Sequence, residues 1–316
     1  MRRAARFFPA LAAAVAVLLS AAATVSWAAP PESETRARER RAAVAAPNVK
    51  FQIGYDFEHF ERTKTTFFEP GFVTDFIVPD RDSHTGSASL SATLPLTHSL
   101  GVRGTLRTAY SHLRQSRDQF GSGHDNSDND TYGIEGELFL RDPQLGSLSI
   151  GASFDRTDAP DGLNFNSIGG KVDLRFFFPD LGSGPVDWAA GFRFVNDDLS
   201  GPGVEIEVDS DNYVFSAGPT WYLSDTFSTA LSVEWDRFET DFASQETTLG
   251  KIDLNLLWPT SRRTSLAFRV GASAGALDYK QSPFRGEKSL VWGLSAGVTI
   301  RLAPSQKLVE LARAYD

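Results

Sequence analysis

The sequence predicts an all-β protein, an antiparallel up-and-down barrel of about 12 strands that crosses a membrane. Three observations carry that prediction. The first is the segment SLVWGLSAGVTIRL, residues 289–302. Leu290, Trp292, Leu294, Ala296, Val298, Ile300 and Leu302 fall on one parity, and Ser289, Val291, Gly293, Ser295, Gly297, Thr299 and Arg301 on the other. Side chains of a strand alternate faces, so this segment has one oily face and one small, polar face. A strand of about ten residues built this way suits the wall of a transmembrane barrel. The second observation is that the same alternation runs through the chain from Val49 onward. The third is that the aromatic residues are sorted by height along the strands.

Composition bounds the alternatives. A chain of 316 residues is one large β domain or two smaller ones, and 22% charged with 41% hydrophobic residues is ordinary for a folded chain. A net charge of -9 speaks against nucleic acid as a partner. The absence of cysteine excludes disulfides, thiolate catalysis, zinc-thiolate sites and a lipidated N-terminal Cys.

The N-terminus reads as an address. Arg2, Arg3 and Arg6 precede a small-apolar run from Ala10 to Ala23, and Ser26-Trp27-Ala28 fits a small-x-small cleavage site. Residues 1–28 are therefore expected to be a secretory signal peptide. The run is short for a spanning helix, which needs about 20 apolar residues. Residues 29–47 are charged and Pro-bounded, and read as a flexible periplasmic leader or a short basic helix tucked into the barrel. No later segment is apolar enough to span as a helix, so strands must do it.

Residues 48–302 are assigned to the barrel. The first strand puts Val49, Phe51, Ile53, Tyr55 and Phe57 outward, with Lys50, Gln52, Gly54, Asp56 and Glu58 inward. The second sets Ala88, Leu90, Ala92, Leu94 and Leu96 against serines and Thr93. The third sets Leu100, Val102, Leu106 and Tyr110 against Arg103, Thr105, Arg107 and Ser111. The fourth sets Tyr132, Ile134, Leu138 and Leu140 against Glu135, Glu137 and Arg141. Leu148, Ile150, Ala152 and Phe154 face out on the fifth, opposite Ser149, Ser153 and Asp155. On the sixth, Ile168, Val172, Leu174, Phe176 and Phe178 oppose Lys171, Asp173 and Arg175. The seventh carries Val186, Trp188, Ala190, Phe192 and Phe194 against Asp187 and Arg193. The eighth exposes Tyr213, Phe215, Ala217, Pro219 and Trp221. The ninth sets Phe227, Leu231, Val233 and Trp235 against Glu234 and Asp236. The tenth sets Ile252, Leu254, Leu256 and Trp258 against Lys251, Asp253 and Asn255. The eleventh sets Leu266, Phe268, Val270 and Ala272 against Arg269, and the opening segment is the twelfth.

Connections alternate as well. Turn-rich links at 97–99, 142–146, 179–184, 224–226 and 259–262 are short, and those near 61–83, 114–130, 157–164, 197–211, 239–247 and 280–287 are longer. Trp188, Trp221 and Trp258 take outward parity beside the short turns. Tyr55, Tyr110, Tyr132, Tyr213, Trp235 and Trp292 take it toward the long links. Two aromatic belts bracketing an aliphatic band are what a bilayer with two water interfaces selects. A soluble sandwich would gather its tryptophans in one core.

On these features residues 49–302 resemble the bacterial outer-membrane β-barrel class. No motif points to a particular family. The resemblance implies an outer-membrane location, short turns and both termini on the periplasmic side, and contact with outer-membrane lipid, lipopolysaccharide and the barrel-assembly machinery. One departure stands out: such chains end on an aromatic residue of the last strand, and here a tail, residues 303–316, follows Leu302. Pro304-Ser305 and the spacing of Leu308, Leu311 and Ala312 suggest a short helix there, a periplasmic cap or a frayed end.

The candidate functional surface is the lumen, with Arg103, Arg107, Glu135, Glu137, Lys171, Asp173, Arg175, Asp187, Arg193, Glu234, Asp236, Lys251, Asp253, Arg269 and Arg301 pointing in. Mixed charge suits either a polar channel or an interior closed by ion pairs. About twelve strands lie between barrels filled by side chains and barrels holding an open pore. Inward Gly271, Ser273, Gly275, Gly293, Ser295 and Gly297 suggest free space along the last two strands, which favours a narrow channel. His59, His84 and His112 take outward parity at the loop ends of neighbouring strands. Outer-membrane phospholipases, similar only in strand number, place a Ser two residues from a His. Here those positions hold Glu61, Gly86 and Arg114, so the expectation is polar rings at headgroup level and no catalysis.

The acidic stretches 124–130 and 197–211 lack calcium-loop spacing and read as solvated surface, so no metal and no cofactor are expected. The link 61–83, with a type II turn at Glu69-Pro70-Gly71-Phe72 and several phenylalanines, reads as a hairpin too apolar for an ordinary loop; it stands above the membrane, folds into the lumen as a constriction, or meets a partner. The expected function is diffusion of small polar or charged solutes. The rivals are a plugged barrel acting through its loops or tail, and an outer-membrane lipid-modifying enzyme.

Overall fold

The structure, a computed structural model, describes residues 48–302 and 307–315. Outside the description are residues 70–71, 79, 98, 116–125, 143–144, 160–163, 179–183, 201–208, 241–242, 262–263, 282–283 and 287. The expected signal peptide and leader also lie outside the described residues.

Strands β1 (Asn48–Phe60), β4 (Arg81–Pro95), β5 (Leu100–Gln115), β6 (Asn126–Asp142), β7 (Gly146–Asp158) and β8 (Asn164–Phe178) form one half of the wall. Strands β9 (Val186–Ser200), β10 (Asp209–Tyr222), β11 (Phe227–Thr240), β12 (Ala243–Pro259), β13 (Thr264–Gln281) and β15 (Ser289–Leu302) form the other. Each pairs antiparallel with the strand before it, and β15 returns to β1, so twelve strands close with no edge. Closure satisfies every wall strand's backbone from both sides, which lipid requires. The protein is a transmembrane β-barrel of the outer-membrane type.

Register reproduces the alternation strand by strand. Ile53 pairs with Ala88 and Val298, and Leu254 pairs with Thr229 and Val270, all outward. Outward apolar side chains stay exposed in the absence of lipid: Ile168 is 66%, Val270 59% and Trp258 62% accessible. Val186 keeps outward register but is only 2% accessible, flanked in register by Phe178 and Trp221.

The long links are shorter than the alternation implies. The link read as 239–247 shrinks to residues 241–242, because β11 and β12 pair as far as Glu239 with Ser244. Likewise β4 begins at Arg81 and β6 at Asn126. The oily face ends where the bilayer ends, but the hydrogen-bond ladder continues above it with polar residues on both faces. The link 61–83 carries its own hairpin, β2 (Thr63–Glu69) and β3 (Phe72–Val78). Its first strand pairs with β14 (Phe284–Gly286), which leads on from β13. The loop rim is thus extended by a small sheet.

After β15 the tail forms helix α1 (Leu308–Tyr315). Its Leu308 and Leu311 pack with Tyr222 and Leu257, which face inward at the turn ends of β10 and β12. The helix therefore sits in the turn-side mouth.

Leu254 faces out about midway between Trp258 and the level of Trp235. Leu254→Arg should cost about 2–4 kcal/mol, whereas its inward neighbour Asn255→Arg should cost far less. Equilibrium urea unfolding in phospholipid vesicles measures both.

Candidate functional site

All fifteen charged residues read as lumen-lining point inward by register. They separate into two walls and a group at the turn-side mouth.

The first wall spans β5 to β9. The Arg107 guanidinium on β5 donates through Nε to the Asp155 carboxylate on β7 at 2.6 Å, and a second bond from Nη2 makes the pair bidentate. Arg107 Nη1 also reaches Glu135 at 3.3 Å. Lys171 on β8 reaches back across β7 to Glu135 at 2.6 Å and to Glu137 at 3.4 Å. Arg103 donates to Glu137 at 3.3 Å and to Thr93 at 3.2 Å. Arg193 lies 3.8 Å from Asp155, and Asp173 lies 3.8 Å from Lys171. Four cations thus meet four carboxylates. Asp155, inward in the alternation but absent from the candidate set, is the anchor of this network.

Two of these cations vault a strand, and glycine makes it possible. A Cβ at Gly133 on β6 would collide with the Asp155 carboxylate and stand 2.8 Å from Arg107 Nε. A Cβ at Gly151 on β7 would stand 3.0 Å from the Lys171 stem. The inward glycines therefore hold long side chains flat against the wall. This corrects the reading of Gly271, Gly275 and Gly293 as free space. A Cβ at Gly271 would strike the Asp253 carboxylate and come within 2.5 Å of the Ser295 hydroxyl; at Gly293 it would lie 2.7 Å from the Phe57 carbonyl. At Gly275 it would run into the Thr248 backbone. Glycine here admits close approach of neighbouring groups.

The second wall spans β11, β12, β13 and β1, and is unbalanced. Lys251 pairs with Glu234 at 2.8 Å, and Arg269 makes a bidentate pair with Asp253 at 2.8 and 2.9 Å. Asp56, Glu58 and Asp236 face the same space, within electrostatic reach of these groups. Among the described residues none of the three makes a salt bridge. Five carboxylates stand against three cations, Lys251, Arg269 and, within reach of Glu58 toward the rim, Arg81. Asp56 and Glu58 had inward parity in the sequence but lacked a visible partner strand.

The mouth gathers the rest. Asp187, 2% accessible, accepts from the Tyr222 hydroxyl at 2.8 Å and from Arg313 of α1 at 3.0 and 2.8 Å. Arg175 donates to the Ala312 carbonyl at 3.2 Å. Arg301 is buried at the same end of the barrel, 8% accessible. Toward the loops, Phe60, Leu249, Leu277 and Val291 form an inward apolar patch across four neighbouring strands, with the Arg81 guanidinium 4.2 Å over the Phe60 ring.

Outside, Tyr55, Tyr110, Tyr132, Tyr213, Trp188, Trp221, Trp235, Trp258 and Trp292 are outward by register at two heights. The three histidines join the upper belt. His59 bonds Asp82 at 2.7 Å, His84 bonds Tyr55 at 2.6 Å and His112 bonds Asp128 at 2.5 Å. Just beyond the belt, the bonds from His112 and then Tyr110 hold the Asp128 carboxyl below its ordinary range. Among the described residues no cluster of His, Asp and Glu is arranged to hold a metal ion.

No protein-family model matches the chain, and no curated protein does. Solved structures similar to it are barrels. The autotransporter NalP translocator domain from Neisseria meningitidis has 9% identity and a TM-score of 0.49, covering 85% of this chain and 95% of that one. A FadL homologue from Pseudomonas aeruginosa has 9% identity and a TM-score of 0.45, covering 84% and 93%. An outer-membrane channel from Pseudomonas putida has 12% identity and a TM-score of 0.45, covering 79% and 95%.

The first wall yields a stability contrast. Arg107→Ala strands the Asp155 carboxylate, whose side chain is 9% accessible, and should cost about 3 kcal/mol. Arg156→Ala breaks a pair exposed at 54% and 45% and should cost under about 1 kcal/mol. Urea midpoints of the refolded variants compare the two.

Proposed function

We propose that the barrel is an outer-membrane channel for small polar solutes, with a preference for cations. The carrying observation is the unbalanced wall: Asp56, Glu58, Glu234, Asp236 and Asp253 face one stretch of lumen, with Lys251, Arg269 and, nearer the loop rim, Arg81 to offset them. The opposite wall is internally neutralised, so it supplies structure and little net field. A cation entering the lumen meets negative potential in a confined, low-dielectric passage, where field lines are concentrated. Solute movement is diffusive and needs no cofactor.

The outer-membrane orientation places the short turns and α1 in the periplasm and the β2–β3 hairpin outside the cell. Lipopolysaccharide and phospholipid surround the aromatic belts, and the assembly machinery is the partner in insertion. A second reading, a plugged barrel working through its loops, draws support from the seat of α1 in the mouth. No catalytic role is assigned to the outer wall. His112 is held by Asp128, and His112→Ala should leave the lipid composition of the outer membrane unchanged by mass spectrometry.

In planar bilayers under a potassium chloride gradient, the reversal potential should report cation preference. Glu234→Gln together with Asp236→Asn should move it toward zero without abolishing conductance. An unchanged reversal potential would remove the second wall as the selector.

A further inference from the structure

Helix α1 does not merely trail from the last strand; it is docked across the mouth at several independent points. Leu311 is fully buried and Leu308 8% accessible, both against inward-facing Tyr222 and Leu257. The Arg313 guanidinium bonds Asp187, donates to the Phe178 carbonyl at 3.1 Å and lies 5.0 Å over the Phe177 ring. Arg175 takes the Ala312 carbonyl, one of the carbonyls that a helix C-terminus leaves without a partner. At the other end, the Leu308 amide donates to the Asp225 carbonyl at 2.8 Å, and Lys307 lies 3.5 Å from the Asp225 carboxylate. The contacts come from β8, β9, β10, the following turn, β12 and β13, about half the circumference.

None of these bonds belongs to the ladder that closes the barrel. An eight-residue helix cannot hold its own shape in water. Its form depends on docking, and undocking would leave every strand pairing intact. We propose that α1 is the gate of the channel, latched by Arg313 on Asp187, and that solute passes only when it leaves the mouth. This rests on the channel reading above and adds how that channel is shut.

The test compares single-channel records of the full chain, of a variant lacking residues 303–316, and of Arg313→Ala, each inserted from detergent into planar bilayers in potassium chloride. The full chain should be closed most of the time. The truncation should give a long-lived open level of the same ion preference, and Arg313→Ala should raise open probability by about tenfold or more. Because the chain has no cysteine, a Leu257→Cys/Leu311→Cys pair would form one defined cross-link. The oxidised variant should be silent and should reopen on reduction with dithiothreitol.

Equal open probability in all of these variants, oxidised and reduced, overturns the gate and leaves the channel standing. If truncated, latch-broken and reduced variants insert but never conduct, the channel reading fails and the gate with it. Should the truncation fail to insert, Arg313→Ala and the cross-link pair decide alone.

Discussion

A backbone amide or carbonyl without a partner cannot be left in lipid, and the rest of this structure depends on that constraint. It forces twelve strands into a closed ladder in which β15 returns to β1. It also fixes what each face can be. With the outward face given to hydrocarbon, as at Ile168 and Val270, the polar residues have only the inside to occupy. The interior charges follow from that geometry. Many are tolerable because they lie in ion pairs, along the first wall, at Lys251–Glu234 and Arg269–Asp253, and at Asp187 with Arg313 of the tail helix.

The wall and its two faces were legible in the sequence because a period of two has one physical meaning in a strand. The strand register keeps the assigned parities, as at Trp258 and Arg269, although Val186, on the outward parity, is 2% accessible. The loop lengths were misjudged for an equally physical reason. Alternation of oil and polarity reports lipid contact, whereas strand pairing needs only backbone partners, and at Glu239 and Ser244 pairing continues after the oil has stopped. Hairpin β2–β3 was legible from the turn residues Glu69-Pro70-Gly71-Phe72; its pairing with β14 was not.

The lumen was legible residue by residue but not as a set of contacts. Adjacent strands suggested Arg103 and Arg107 against Glu135 and Glu137, and those contacts exist at 3.3 Å. The bidentate partner of Arg107 is Asp155, two strands away, which depends on the glycine at 133 lying beneath the bridge. A small residue in a sequence can mean a void or a slot for a neighbour. Only the position of the neighbour separates the two, and for Gly271 it is the Asp253 carboxylate. The tail was readable as a helix from Leu308, Leu311 and Ala312. Its seat was not, because Asp187 and Arg313 are 126 residues apart.

The same constraint that closes the wall limits how the protein can open. Separating two strands within the hydrocarbon would strand several donors and acceptors at several kcal/mol each, far more than a channel could meet in ordinary operation. A β-barrel must therefore regulate passage with parts that contribute nothing to its ladder. Here the described candidates are the side chains of the lumen, the extra-membrane sheet formed by β2, β3 and β14, and α1. The side chains of the first wall are held in a balanced network over glycine slots and have little freedom to swing. The small sheet stands on the rim and joins the wall through β14 and β13. Among the described elements, helix α1 sits in the turn-side mouth through contacts that belong to no strand pairing, so on the channel reading it is the part that can move without opening the wall. A fold whose wall cannot yield leaves an element of this kind as the movable one.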